Sequence, residues 1–116
     1  MNREEFESAS GETVVAVKTS IGLLHVTMMS SEEAAEYELA SKGDNTDTKV
    51  YMNRKANMIR CTLCDAEGNL FYAGVPEAEA LGAIFQKPTG VQTLLAGEAA
   101  KLNGYAPDSS EEAAKN

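Results

Sequence analysis

The chain has 116 residues, 43% of them apolar, and ten Lys and Arg against eighteen Asp and Glu give a formal charge of −8. That length suits one domain with one modest core. No apolar run approaches the roughly 18 residues of a membrane span, the Glu-rich N-terminus has no apolar stretch of the secretory kind, an acidic chain lacks the cations that phosphate contacts need, and two Cys make no disulfide framework.

The expected protein is therefore soluble and intracellular, with no membrane and no nucleic-acid partner. Residues 1–11 are polar and read as a mobile leader. The texture changes at Glu12. Thr13–Val17 is β-branched, and Leu23–Met28 follows after Thr19-Ser20-Ile21-Gly22, which predicts a β-hairpin. Alternation puts Leu24, Val26 and Met28 on one face and Leu23, His25 and Thr27 on the other. Ser30-Ser31-Glu32-Glu33 has the spacing of a capping box. It opens a helix with few apolar residues, expected to run on the surface to about Lys42, with Gly43 available as a left-handed cap.

Gly43–Asp47 reads as a loop. Beyond it, Met52, Ala56, Ile59 and Leu63 fall on one helical face, which predicts a helix from about Thr48 to Cys64. The alternative is a hairpin, because Ile59–Leu63 also alternates and Asp65–Asn69 has turn composition. Val75-Pro76-Glu77 opens a further helix with Ala80, Leu81, Ile84 and Phe85 as its buried face, stopped at Lys87-Pro88. The last predicted helix starts at Thr89 or Gly90, carries the stripe Val91, Leu94, Leu95, Ala99 and Leu102, and ends at Asn103-Gly104. The fold class is α+β, mostly α: an N-terminal β-hairpin followed by about four helices in a single globular domain over 12–105. Residues 106–116 read as a disordered acidic tail.

The residues that could carry chemistry have structural readings as well. Cys61-Thr62-Leu63-Cys64 is a lone C-x-x-C. His25 is the only further His or Cys, so four zinc ligands cannot be assembled. A redox pair opens a helix where the dipole lowers the thiol pKa, whereas this pair closes one. Both cysteines read as small buried hydrophobes. Asp65–Asn69 lacks the twelve-residue Ca²⁺ loop, and Gly90 and Gly97 precede no phosphate-loop Lys. Glu32/Glu33 and Glu111/Glu112 read as solvated carboxylates. The expectation is a protein that is not an enzyme and uses no cofactor or metal.

The charge pattern says more. Lys49, Arg54, Lys55 and Arg60 form a cationic island in the acid-free stretch between Asp47 and Asp65. It is either balanced by the chain's own acidic neighbours or offered to an acidic partner. Met28, Met29, Met52 and Met58 lie in or beside apolar faces, and methionine suits adaptable binding surfaces.

The order of elements resembles the tail assembly chaperones of bacteriophages with long, non-contractile tails and of related prophages. The likeness runs over about residues 13–105. It rests on Ser30–Glu38, on Arg54 and Arg60 leading into Cys64-Asp65-Ala66-Glu67-Gly68-Asn69-Leu70-Phe71, on Glu79-Ala80-Leu81-Gly82, and on Lys101-Leu102-Asn103-Gly104. Gly74-Val75-Pro76 departs from the acidic stretch common in relatives. The resemblance implies a non-enzymatic role in the host bacterial cytoplasm: binding the tape measure protein, keeping it soluble and recruiting tail tube subunits around it. It also implies self-association and absence from the mature virion. In such phages a ribosomal frameshift adds a second domain that engages the tube protein, and Ala114-Lys115-Asn116 is compatible with slippery codons. Partner contacts are expected at Leu23, Met29, Met52, Arg54, Lys55 and Met58. The competing readings are a small acidic adaptor that binds one folded partner through the basic helix, and a thiol redox protein using Cys61 and Cys64.

Overall fold

The computed structural model describes residues 1–8, 13–43 and 47–105. Two strands, β1 (Val14–Thr19) and β2 (Gly22–Thr27), form the expected hairpin, in register from Val14↔Thr27 to Thr19↔Gly22. Thr19 closes the turn: its hydroxyl donates to the Gly22 carbonyl (2.6 Å) and accepts from the Ile21 N–H. Val17 and Val26 are buried and Leu24 packs against the core, while Leu23 faces outward. Met28 was expected on the buried face, but it is 40% exposed because the strand stops at Thr27.

Helix α2 (Ser31–Ala40) has the capping box in full: Ser30 accepts from the Glu33 N–H, and the Glu33 carboxylate accepts from the Ser30 N–H. Only Tyr37 of this helix is buried, as its thin apolar content implies. It ends at Ala40, two residues before the expected stop at about Lys42. Arg54 reaches across to the carbonyl of Ser41 (2.7 Å) and so satisfies an orphan acceptor at the helix end. Gly43 sits at φ +141°, outside the left-handed helical cap expected for it, and an added Cβ would lie 2.9 Å from Val50.

Both readings of residues 48–72 are partly realised. Helix α3 (Thr48–Thr62) buries two residues of the expected stripe, Ala56 and Ile59, while Met52 is 45% exposed and the helix ends before Leu63. Leu63–Cys64 is a short strand, β3, paired antiparallel to β2 through His25↔Cys64 and Val26↔Leu63. The edge of β2 offers hydrogen bonds that one more helical turn could not use. Asp65 then turns the chain. Its carboxylate accepts from the N–H groups of Glu67 and Asn69, which holds it below the usual carboxylate range, and Phe71 donates back to the Leu63 carbonyl.

Helices α4 (Glu77–Ile84) and α5 (Thr89–Leu102) complete the domain, each preceded by a proline at its N-cap. Phe85 and Leu94, both expected inside, are 38% and 41% exposed. Phe85 lies past the end of α4. The buried face of α5 is rotated away from Leu94 towards Gln92, Ala96 and Ala100. The small side chains there, Ala96, Ala99 and Ala100, let α5 approach its neighbours closely. The end of α5 at Asn103-Gly104 is a Schellman motif: Tyr105 N–H bonds to Ala100 O and Gly104 N–H to Lys101 O, with Gly104 at φ +79°.

The architecture is α+β, mostly α, with a three-stranded antiparallel sheet ordered β1-β2-β3. One element was not foreseen: Arg3–Ser8, in the segment read as a mobile leader, forms a short exposed helix, α1. Residues 106–116, read as a disordered tail, lie outside the described residues. Among the described residues no helix is long and apolar enough to cross a membrane.

Asn103 ties the two ends of the fold together. Its side chain accepts from the Met29 N–H (2.7 Å) and donates to the carbonyls of Ala99 (2.9 Å) and Thr27 (3.3 Å). Replacing Asn103 by Ala is expected to lower unfolding stability by about 1–3 kcal/mol in urea titrations, because the buried partners lose their bonds. Asn103→Asp keeps the acceptor but not the donor and should fall between parent and Asn103→Ala.

Candidate binding groove

The last turns of α3 are inaccessible all round: Ala56 to Thr62 are all buried, including Asn57 and Arg60. Arg60 donates to the Asn57 side-chain oxygen (2.8 Å) and to Glu36 of α2 (2.6 Å). Asn57 donates in turn to Glu77 at the start of α4. The cationic island is therefore divided. Arg60 is an internal tie, and Arg54 caps α2 through Ser41. Lys49 is exposed, and Lys55 is half-buried. Of the four cations, Arg54 and Arg60 are hydrogen-bonded within the chain.

The six residues expected at a partner surface separate in the same way. Leu23 is 57% exposed and Met52 45%, whereas Met29 packs against the core. Met58, expected at a surface, is only 2% exposed, because α5 packs over that face of α3. Arg54, Lys55 and Met58 are nonetheless brought together along one groove of about 440 Å³ between α3 and α5. Leu23, Met29 and Met52 do not line it.

The α3 wall of the groove is Tyr51, Arg54, Lys55 and Met58, and the α5 wall is Thr93, Ala96, Gly97 and Ala100. Tyr37 and Tyr105 close one end, edge to face with ring centres 5.2 Å apart. The Schellman motif folds the chain back and so places Tyr105, whose hydroxyl donates to Glu38 at 2.6 Å. That bond, with partial burial, pushes the Tyr105 phenol up to about 12. Burial also raises the Tyr37 phenol. The Lys55 ammonium donates to the Thr93 hydroxyl (3.2 Å) and lies 5.5 Å from the Tyr51 ring centre. No Asp or Glu lines the groove among the described residues.

Sequence reasoning found one wall and missed the other. Thr93, Ala96, Gly97 and Ala100 recur at i, i+3, i+4 and i+7, a small-residue spacing that a search for bulky apolar stripes passes over. Tyr51, Lys55 and Met58 share one face of α3 by the same spacing.

The other singled-out residues have structural settings. Cys61 and Cys64 are buried and not disulfide-linked, and burial pushes the Cys61 thiol up to about 11. His25 lies between Ala16 and Cys64 across the sheet. Glu33 is used in the α2 cap, and Glu36 on Arg60. Among the described residues no three His, Cys, Asp or Glu side chains gather as a metal ion would require. No family model, curated protein or solved structure matches the chain.

Two measurements check these assignments. In the native protein at pH 8, Cys61 should resist a thiol reagent that modifies it at once in guanidinium; rapid native reaction would restore the redox reading. For Tyr105, the folded state favours the neutral phenol. Its contribution to stability is intact below the ordinary value of 10.0 and is lost as pH rises towards about 12. Urea stability over that range should fall less steeply in Tyr105→Phe than in the parent.

Proposed function

We propose that this protein is a tail assembly chaperone of a long-tailed phage or prophage. It binds the tape measure protein in the host cytoplasm, keeps it soluble while tail tube subunits are recruited, and is left out of the finished virion. The observation that carries this reading is the exposure of large apolar side chains on three separate elements of a chain with charge −8: Leu23 on β2, Leu39 on α2, and Tyr51 and Met52 on α3. Apolar side chains on several elements offer an unfolded or helical client several places to dock, and high net charge keeps the resulting complex in solution.

The motif resemblance points to the same reading, and its residues have structural tasks. Asp65, Gly68 and Asn69 build the turn after β3, and Asn103 and Gly104 lock the end of α5 against the hairpin. These short motifs thus serve the fold. The adaptor alternative loses support, because Arg54 and Arg60 are committed internally.

The test is light scattering coupled to size exclusion, with and without a co-expressed tape measure fragment. A soluble complex containing both chains is expected, and Leu23→Glu with Met52→Glu should send most of the fragment to the pellet. A clean monomer beside an insoluble fragment would sink the proposal.

A further inference from the structure

The groove between α3 and α5 has a definite shape and charge. Its two walls are helices, each contributing residues from successive turns, and their backbone hydrogen bonds are internal. An extended peptide laid along it would find no free ladder of donors and acceptors. A helix brings its own backbone bonds satisfied and presents side chains at the matching i, i+3, i+4 and i+7 spacing. The volume, about 440 Å³, is within the ordinary range of binding sites.

The α5 wall is cut low. Gly97 stands mid-helix, where glycine costs about 1 kcal/mol relative to alanine. A Cβ built on it meets no atom within 4 Å, so its own fold does not require glycine there. The space beyond Gly97 is the groove, and a visiting helix can approach that wall closely. The α3 wall carries the charge. Lys55 has only a hydroxyl and an aromatic face for company, with no carboxylate in ion-pair range among the described residues. A cation left this way in a −8 chain complements an anionic visitor.

We propose that this groove holds one amphipathic helix of a partner protein, its bulky apolar side chains seated over Tyr51 and Gly97 and its carboxylates along the flank that faces Lys55. This deepens the chaperone reading and rests on it only for the partner's identity.

The test uses a stapled helical peptide with Leu at i, i+3, i+4 and i+7, one Trp, and Glu on the flanks, beside a counterpart with Lys for Glu. The chain has no Trp, so the peptide's fluorescence reports binding alone. The Glu peptide is expected to bind the full chain about tenfold or more tighter than the Lys peptide, and Lys55→Glu to abolish that preference. Gly97→Leu fills the groove and should weaken the Glu peptide by a similar factor, while Gly97→Ala should melt no lower than the parent. Equal binding of the two peptides overturns the proposal, as does unchanged binding by a Gly97→Leu variant with native circular dichroism. Should Gly97→Leu fail to fold, the peptide pair and Lys55→Glu decide alone.

The same variants in the tape measure co-expression separate the two ideas. A fragment kept soluble equally by parent and Gly97→Leu removes the groove and leaves the chaperone. Tight Glu-peptide binding beside an insoluble fragment removes the chaperone and leaves the groove.

Discussion

The buried guanidinium of Arg60 constrains the domain more than any apolar contact does. Asn57 and Arg60, one turn apart on α3, are both withdrawn from water, so each needs partners from elsewhere in the chain. Glu36 on α2 and Glu77 on α4 supply them, which fixes where those helices lie against α3. A network of this kind is a poor source of net stability, since desolvation offsets most of the Coulombic gain. Its geometric demand is the stronger consequence. A slip of α2 by one residue would take Glu36 from the buried Arg60 charge, and a slip of α4 would take Glu77 from the buried Asn57 amide, while an all-apolar contact would tolerate either. One guanidinium nitrogen, Nη2, has no hydrogen-bond partner among the described residues even so.

That polar tie uses one face of α3 and leaves two others. The face bearing Ala56 and Ile59 enters the core, and the face bearing Tyr51, Lys55 and Met58 forms a wall of the groove. Arg54 lies at the boundary. By taking the Ser41 carbonyl it ends α2 and brings Tyr37 to the end of the groove, where Tyr105 meets it. The groove is thus a by-product of how three helix ends are capped: α2 by Arg54, α3 by its passage into β3, and α5 by its Schellman motif.

Local signals were legible in the sequence and tertiary ones were not. The capping box at Ser30, the proline start of α4, the break at Lys87-Pro88, the Asp65 turn and the Asn103-Gly104 stop involve residues within a few positions of each other, and each formed where expected. The end of α3 depended on the open edge of β2, nearly forty residues earlier in the sequence. Helical periodicity holds no record of that edge. The cationic island was legible as composition, but its division between Glu36, Ser41 and Thr93 is set by helix packing. Met58 shows the same limit: its apolar character was visible, its inaccessibility was not.

The rotation of the buried face of α5 follows from the size of the residues available. Four of the fourteen residues of the core cluster are alanine, and three of these, Ala96, Ala99 and Ala100, are on α5. A helix that meets its neighbours through alanine lies close to them and gains more from backbone proximity than from filling space. Val91 and Leu95 share that buried face, and Leu94, one position off it, stays exposed. A single exposed leucine is ordinary on a protein surface and needs no partner to explain it. The groove is different in kind. Its apolar atoms are contiguous, concave and shared between two helices. The small residues that let α5 approach α3 on the core side continue at Gly97 onto a side with no neighbour to receive them.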